Sequence, residues 1–135
     1  MSEPVWVPVS LGELFDKNSI LEIKRARMTD PQQLANVRRE LALLEGIASQ
    51  LETAAVQAQL DALLARLLAV NSELWDLENR VRALARAGDE GPAFVQAARA
   101  IHSGNDRRAG VKRSINLLLG SALVEEKDHR GPAGG

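Results

Sequence analysis

The chain has 135 residues, room for one hydrophobic core but not for two independent ones, and 45% of its residues are hydrophobic. Lys+Arg 17 against Asp+Glu 18 gives a net charge of -1, which excludes the one-signed surface that drives bulk binding to nucleic acid or anionic membrane. Cysteine is absent, which rules out disulfides, thiolate nucleophiles and cysteine-ligated metals, and the only histidines, His102 and His129, sit in no catalytic motif. Aromatic residues make up 3% and Tyr is missing, so the composition favours helix over strand and predicts an all-α protein.

Residues 3–9 alternate apolar and polar and contain Pro4 and Pro8, the pattern of an extended arm, with Trp6 expected to pack it down. Ser10 and Glu13 have capping-box spacing and open a first helix over 11–28. Asp30, Pro31 and Gln33 repeat that grammar, so a second helix runs from Pro31 to about Leu51 on the seam Leu34, Val37, Leu41, Leu44, Ala48 and Leu51. A heptad series Leu60, Leu63, Leu67, Val70, Leu74, Leu77, Val81 and Leu84 marks a third helix over 55–86. Its register is out of phase with the second helix, which implies either one long helix with a local phase shift or, the favoured reading, a turn near 53–55 and an antiparallel, coiled-coil-like hairpin of helices two and three. The third helix outreaches its neighbours, and its unmatched seam predicts a homodimer through this helix.

Gly88-Asp89-Glu90-Gly91-Pro92 is a break before a short fourth helix over 92–102. Gly104 reads as a stop, Asn105 as the cap of a fifth helix ending at Leu119, and Gly120 as its terminator. Residues 121–127 read as a short strand or turn, and the Gly/Pro-rich residues 129–135 as a disordered tail, so a single helical domain over 1–128 is expected. No basic, apolar leader opens the sequence and no uncharged run reaches a membrane span, which predicts a soluble cytoplasmic chain without membrane insertion.

Three constellations bear on function. On a helical wheel Glu13, Asp16, Lys17, Lys24 and Arg27 fall within about 100° of one another, an organised mixed-charge face that is either a solvated surface or the wall of a polar site. Glu22 lies away from that stripe, beside Phe15, and needs a cation such as Arg38 or Arg80 if it is covered. Glu13-x-x-Asp16 and Glu73-x-x-Asp76 repeat a spacing that sets two oxygen ligands on one helical face, the arrangement by which bundles hold Mg²⁺ or Mn²⁺.

The densest polar segment is Asn105–Asn116, with Arg107, Arg108, Lys112 and Arg113 at the start of the expected fifth helix, against its dipole. That placement implies either an anion site at a helix N-terminus or a structural lock onto Glu13, Asp16, Glu125 or Glu126. Trp75 reads as a core anchor, with Asn71 and Glu78 as polar residues beside the seam. His102, near the expected helix end, reads as a dipole partner.

The segments Gly12-Glu-Leu-Phe-Asp-Lys17, Ile20-Leu-Glu-Ile-Lys24, Asn105-Asp-Arg-Arg108 and Glu125-Glu-Lys127 together resemble a bacterial family known only as a domain of unknown function, over about residues 5–127. The resemblance implies a small bacterial helical protein and an association with surface-polysaccharide or sugar-nucleotide metabolism; Ala26 and Asp128-His129 depart from the family pattern. The paired carboxylates alone resemble those of all-α metal-dependent nucleotide pyrophosphohydrolases, in spacing only.

Taken together the residues predict an elongated bundle of about five helices. The leading expectation is a non-catalytic binding or assembly module without a cofactor, in which Glu13, Asp16, Lys17, Lys24, Asn105, Arg107, Lys112, Asn116 and Glu125 form a site or interface for an anionic small molecule or a protein partner. The alternatives are a pyrophosphohydrolase-like enzyme with Mg²⁺ or Mn²⁺ on Glu13, Asp16, Glu73 and Asp76, and a purely structural coiled-coil oligomer.

Overall fold

A computed structural model describes residues 3–121 and Glu126. Helices account for about four-fifths of them: α1 (Leu11–Arg27), α2 (Pro31–Ala48), α3 (Gln57–Arg86) and α4 (Pro92–Leu119), with a single 3-10 turn, Ala54–Val56, leading into α3. Among the described residues there is no strand, and no helix is long and apolar enough to cross a membrane.

The two expected capping sites set the helix starts. Ser10 Oγ accepts from the Glu13 amide at 3.0 Å and Asp30 Oδ2 accepts from the Gln33 amide at 2.8 Å, each supplying an acceptor to a donor that the helix cannot satisfy itself. Gly120, at φ 64, ends α4 in the left-handed conformation that favours glycine.

Two expectations about helix number and pairing are corrected. The fourth and fifth helices are one, because Gly104 does not stop the chain. It is buried where α4 lies against α3, and a Cβ there would meet Leu74 Cδ2 at 2.7 Å. A glycine read as a breaker is a point of close approach between helices.

The expected pairing of helices two and three is replaced as well. Residues 49–56 carry the chain out of α2 by tightened turns, Gln50 N–H to Ile47 O and Leu51 N–H to Ala48 O, and α3 then packs mainly on α4. The contacts advance in opposite directions along these two helices, through Glu73 with Arg107, Asn71 with Arg108 and Leu74 with Gly104.

α1 lies between two apolar clusters. On one side Leu21 joins Val37 and Leu41 of α2; on the other, Phe15 packs against Leu60, Leu67, Val70 and Leu74 of α3 with Val111 and Ile115 of α4. The seam of α3 is thus covered by α4 and α1 at Leu60, Leu67, Val70 and Leu74, while Leu77, Val81 and Leu84 beyond them are partly buried. Glu125, the possible strand or turn after Ser121, His129 and the tail lie outside the described residues.

Candidate functional site

The N-terminal turn of α1 crosses the C-terminal part of α4, and the crossing depends on Gly12. A Cβ at this position would collide with the backbone carbonyl of Lys112, so only glycine lets the helices approach so closely. The first three amides of α1 then find side-chain acceptors: Leu11 N–H donates to Ser121 Oγ at 3.1 Å, Gly12 N–H to Asn116 Oδ1 at 2.6 Å, and Glu13 N–H to Ser10 Oγ. Asn116 is only 1% exposed, so its carbonyl is a buried cap supplied by another helix.

One turn deeper, the charged face of α1 meets α4. Lys112 Nζ donates to Glu13 Oε2 at 2.5 Å and stands 3.9 Å from Asp16 Oδ2, while Lys17 reaches the other oxygen of Glu13 at 3.9 Å. Glu13 therefore turns to Lys112 instead of closing the expected capping box. The buried Asp16 accepts from Asn71 Nδ2 on α3 at 2.8 Å, and the same amide group donates to Ser19 Oγ at 3.2 Å.

Asn71 continues the chain of polar contacts. Its Oδ1 faces Arg108 Nη1 at 3.5 Å, the outer limit of a hydrogen bond, and Arg108 Nη2 donates to Asn105 Oδ1 at 2.9 Å. A relay of Glu13, Lys112, Asp16, Asn71, Arg108 and Asn105 thus runs through the junction of three helices. It ends at a groove of about 290 Å³, walled by Ile20 and Ile23 of α1, Trp75, Glu78 and Arg82 of α3, and Asn105 and Arg108 of α4.

Of the expected site residues, the fold brings Glu13, Asp16, Lys17 and Lys112 together, with Asn116 one turn above and Asn105 at the far end. Arg107 leaves the group for Glu73 at 3.1 Å, Lys24 stays outside it at the other end of α1, and Glu125 lies outside the described residues. Asn105–Arg113 occupies the interior of α4, so the expected conflict between these cations and a helix N-terminal dipole does not arise. Lys112 instead forms the lock onto Glu13 and Asp16, and Arg113 meets Glu126 at 2.9 Å.

Other expectations also shift. Trp75 is a half-buried groove wall and not a core anchor. His102 stands in the interior of α4, exposed, 4.0 Å from Asp106. Glu22 forms no ion pair with Arg38 or Arg80; it lines a small groove with Glu45. The four carboxylates of the Mg²⁺ or Mn²⁺ alternative divide among different cations, Glu13 and Asp16 facing Lys112, Glu73 facing Arg107 and Asp76 facing Arg27. Among the described residues no three metal-type side chains are grouped.

Sequence reasoning missed Ser19 and the close approach at Gly12, and it gave Asn71 no partner. A small or polar residue recurring beside an apolar seam was the available signal. Comparison with known proteins adds no constraint, since no family model, curated protein or solved structure matches the chain.

Proposed function

We propose that this protein is a non-catalytic binding module whose Arg108 groove takes a small ligand bearing a carboxylate or phosphate. The observation that carries this reading is the state of Arg108. Its half-buried guanidinium is oriented by two neutral amide oxygens, those of Asn71 and Asn105, and among the described residues no carboxylate pairs with it. Lys112, the other half-buried cation of the junction, has acidic partners in Glu13 and Asp16.

Partly desolvating a guanidinium without a counter-ion is unfavourable, and an incoming anion relieves that cost with charge-assisted, bidentate hydrogen bonds. Arg108 has five N–H donors and the two asparagines engage two of them. Trp75 adds an apolar face to the groove, and Arg82 a second cation. The carboxylates of the relay are held by Lys112 and Asn71, which favours a scaffold role over acid–base work for Glu13 and Asp16. An association with surface-polysaccharide or sugar-nucleotide metabolism, implied by the family resemblance alone, makes sugar phosphates the natural first ligands to try.

The test is a thermal-shift series with inorganic phosphate, glucuronate, glucose 1-phosphate and a uridine diphosphate sugar. A ligand at 100 times its Kd adds about 2.7 kcal/mol, which raises Tm by several degrees in a chain of this size. The shift should vanish in Arg108→Gln and survive in Arg107→Gln. A shift that persists in Arg108→Gln, or none with any of the four anions, rejects the reading.

A further inference from the structure

The least covered part of the molecule is the outer flank of α2 together with the N-terminal arm. α1, α3 and α4 each pack on two or more helices, whereas α2 packs extensively on α1 alone and buries only Val37 and Leu41 of its 18 residues. Helices take most of their stability in water from a packed apolar face, so an 18-residue helix with one neighbour is short of a second.

α2 carries the residues for one. Besides the seam toward α1 it has a second apolar stripe, Leu43, Ile47 and Leu51 beyond it, which forms one wall of an open groove of about 960 Å³. The opposite wall is the extended arm, from Pro4 to Val9. Among the described residues no hydrogen bond ties residues 3–9 to the helices. Val5, Trp6 and Val7 are 87%, 68% and 66% exposed, and Leu43 is 41% exposed. Trp6 therefore does not pack the arm down as expected. Pro4 and Pro8 hold the arm extended, which lowers the entropy lost when it docks and blocks a continuous β-ladder.

We infer that this face is the contact surface between two copies of the chain, paired about a two-fold axis through α2 and the arm, with Trp6 and Leu43 at its centre. Three observations favour a second copy over another occupant. The patch offers both a ridge, the arm, and a groove, the α2 stripe, so one surface can serve both partners as an isologous contact requires. Its charges balance, with Lys17 and Arg39 against Glu40 in the groove wall and Glu3 at the end of the arm, so two copies approach without net repulsion. Covering Val5, Trp6, Val7, Val9 and Leu43 alone removes on the order of 550 Å² per copy, and their neighbours bring this toward the roughly 800 Å² per partner of a standard interface.

This inference is independent of the Arg108 groove, which lies on another part of the bundle. Sedimentation equilibrium of the whole chain should show a dimer whose dissociation constant rises roughly tenfold or more in Leu43→Glu and in Trp6→Ala, and is unchanged in Arg108→Gln. Trp6 lies outside every helix, so Trp6→Ala decides the matter even if Leu43→Glu disturbs α2. Because the chain has no cysteine, Leu43→Cys introduces a single thiol, which should form a disulfide-linked dimer under mild oxidation while Ser103→Cys on the exposed side of α4 forms no disulfide cross-link. A monomer at all concentrations, or a dimer with the wild-type dissociation constant in Trp6→Ala, overturns the inference. The groove would then be free for its own arm or for a different protein.

Discussion

The two ends of the α3–α4 pair carry the same kind of seam and meet different fates. From Leu60 to Leu74 four of the five heptad positions of α3, Leu60, Leu67, Val70 and Leu74, are buried and Leu63 is partly so, because α1 lies across them and closes a three-helix junction. From Leu77 to Leu84 the spacing continues, yet Leu77, Val81 and Leu84 are only partly buried. α1 ends at Arg27, which reaches across to Asp76, and beyond that level α4 alone faces α3. Burial follows the number of helices that meet at a level and not the regularity of the pattern, so stability and the polar relay both concentrate at the three-helix end.

The sharpest way to break this comparison is to remove equal side chains from its two halves. Leu67→Ala, at a site with 0% exposure, should cost about 3–5 kcal/mol through lost burial and the cavity left behind. Leu84→Ala, in the two-helix half, should cost about 1 kcal/mol, both read from urea unfolding. Equal losses would mean that the far end is as tightly packed as the junction.

The two buried glycines supply the next largest contrast. Gly12→Ala drives a methyl into the backbone carbonyl of Lys112, and backbone cannot swing aside, so a loss of about 2–3 kcal/mol is expected. Gly104→Ala meets the end of the flexible Leu74 side chain, and the gain in helix propensity, about 1 kcal/mol, offsets the crowding, so its net effect should stay within about 1 kcal/mol of zero.

Smallest is the contrast between ion pairs. Lys112→Ala leaves the buried Asp16 without a cation and Glu13 with only the exposed Lys17, and should cost about 1–3 kcal/mol. Arg107→Ala breaks an exposed pair with Glu73 and should cost less than about 1 kcal/mol. If thermal melts rank these two the other way, Lys112 is not the lock of the junction.

Much of the fold was legible because it is written in short-range chemistry. Ser10 and Asp30 are caps whose oxygens reach amides three residues on, and the leucine spacing of α3 marks the helix and the face it buries. The candidate site was legible in part. Glu13 and Asp16 lie one turn apart on a single helix, so their shared face could be read, and Lys112 stood out among dense cations. Their meeting, across about 100 residues of chain, could not be read, because local spacing says nothing about which helix crosses which.

The sequence by itself determined that the protein is helical, where α1 and α2 start, where α4 ends and which stripe of each helix is apolar, since these depend on contacts within a turn or two. Tertiary structure alone decided that Gly104 continues a helix and Gly12 allows a crossing, that α3 pairs with α4 and not with α2, and that Lys112 is matched by carboxylates while Arg108 is left with amides. Those outcomes depend on which atoms a side chain meets across the interior, and glycine, lysine and arginine have the same local signature whether they meet solvent, a backbone carbonyl or an opposite charge.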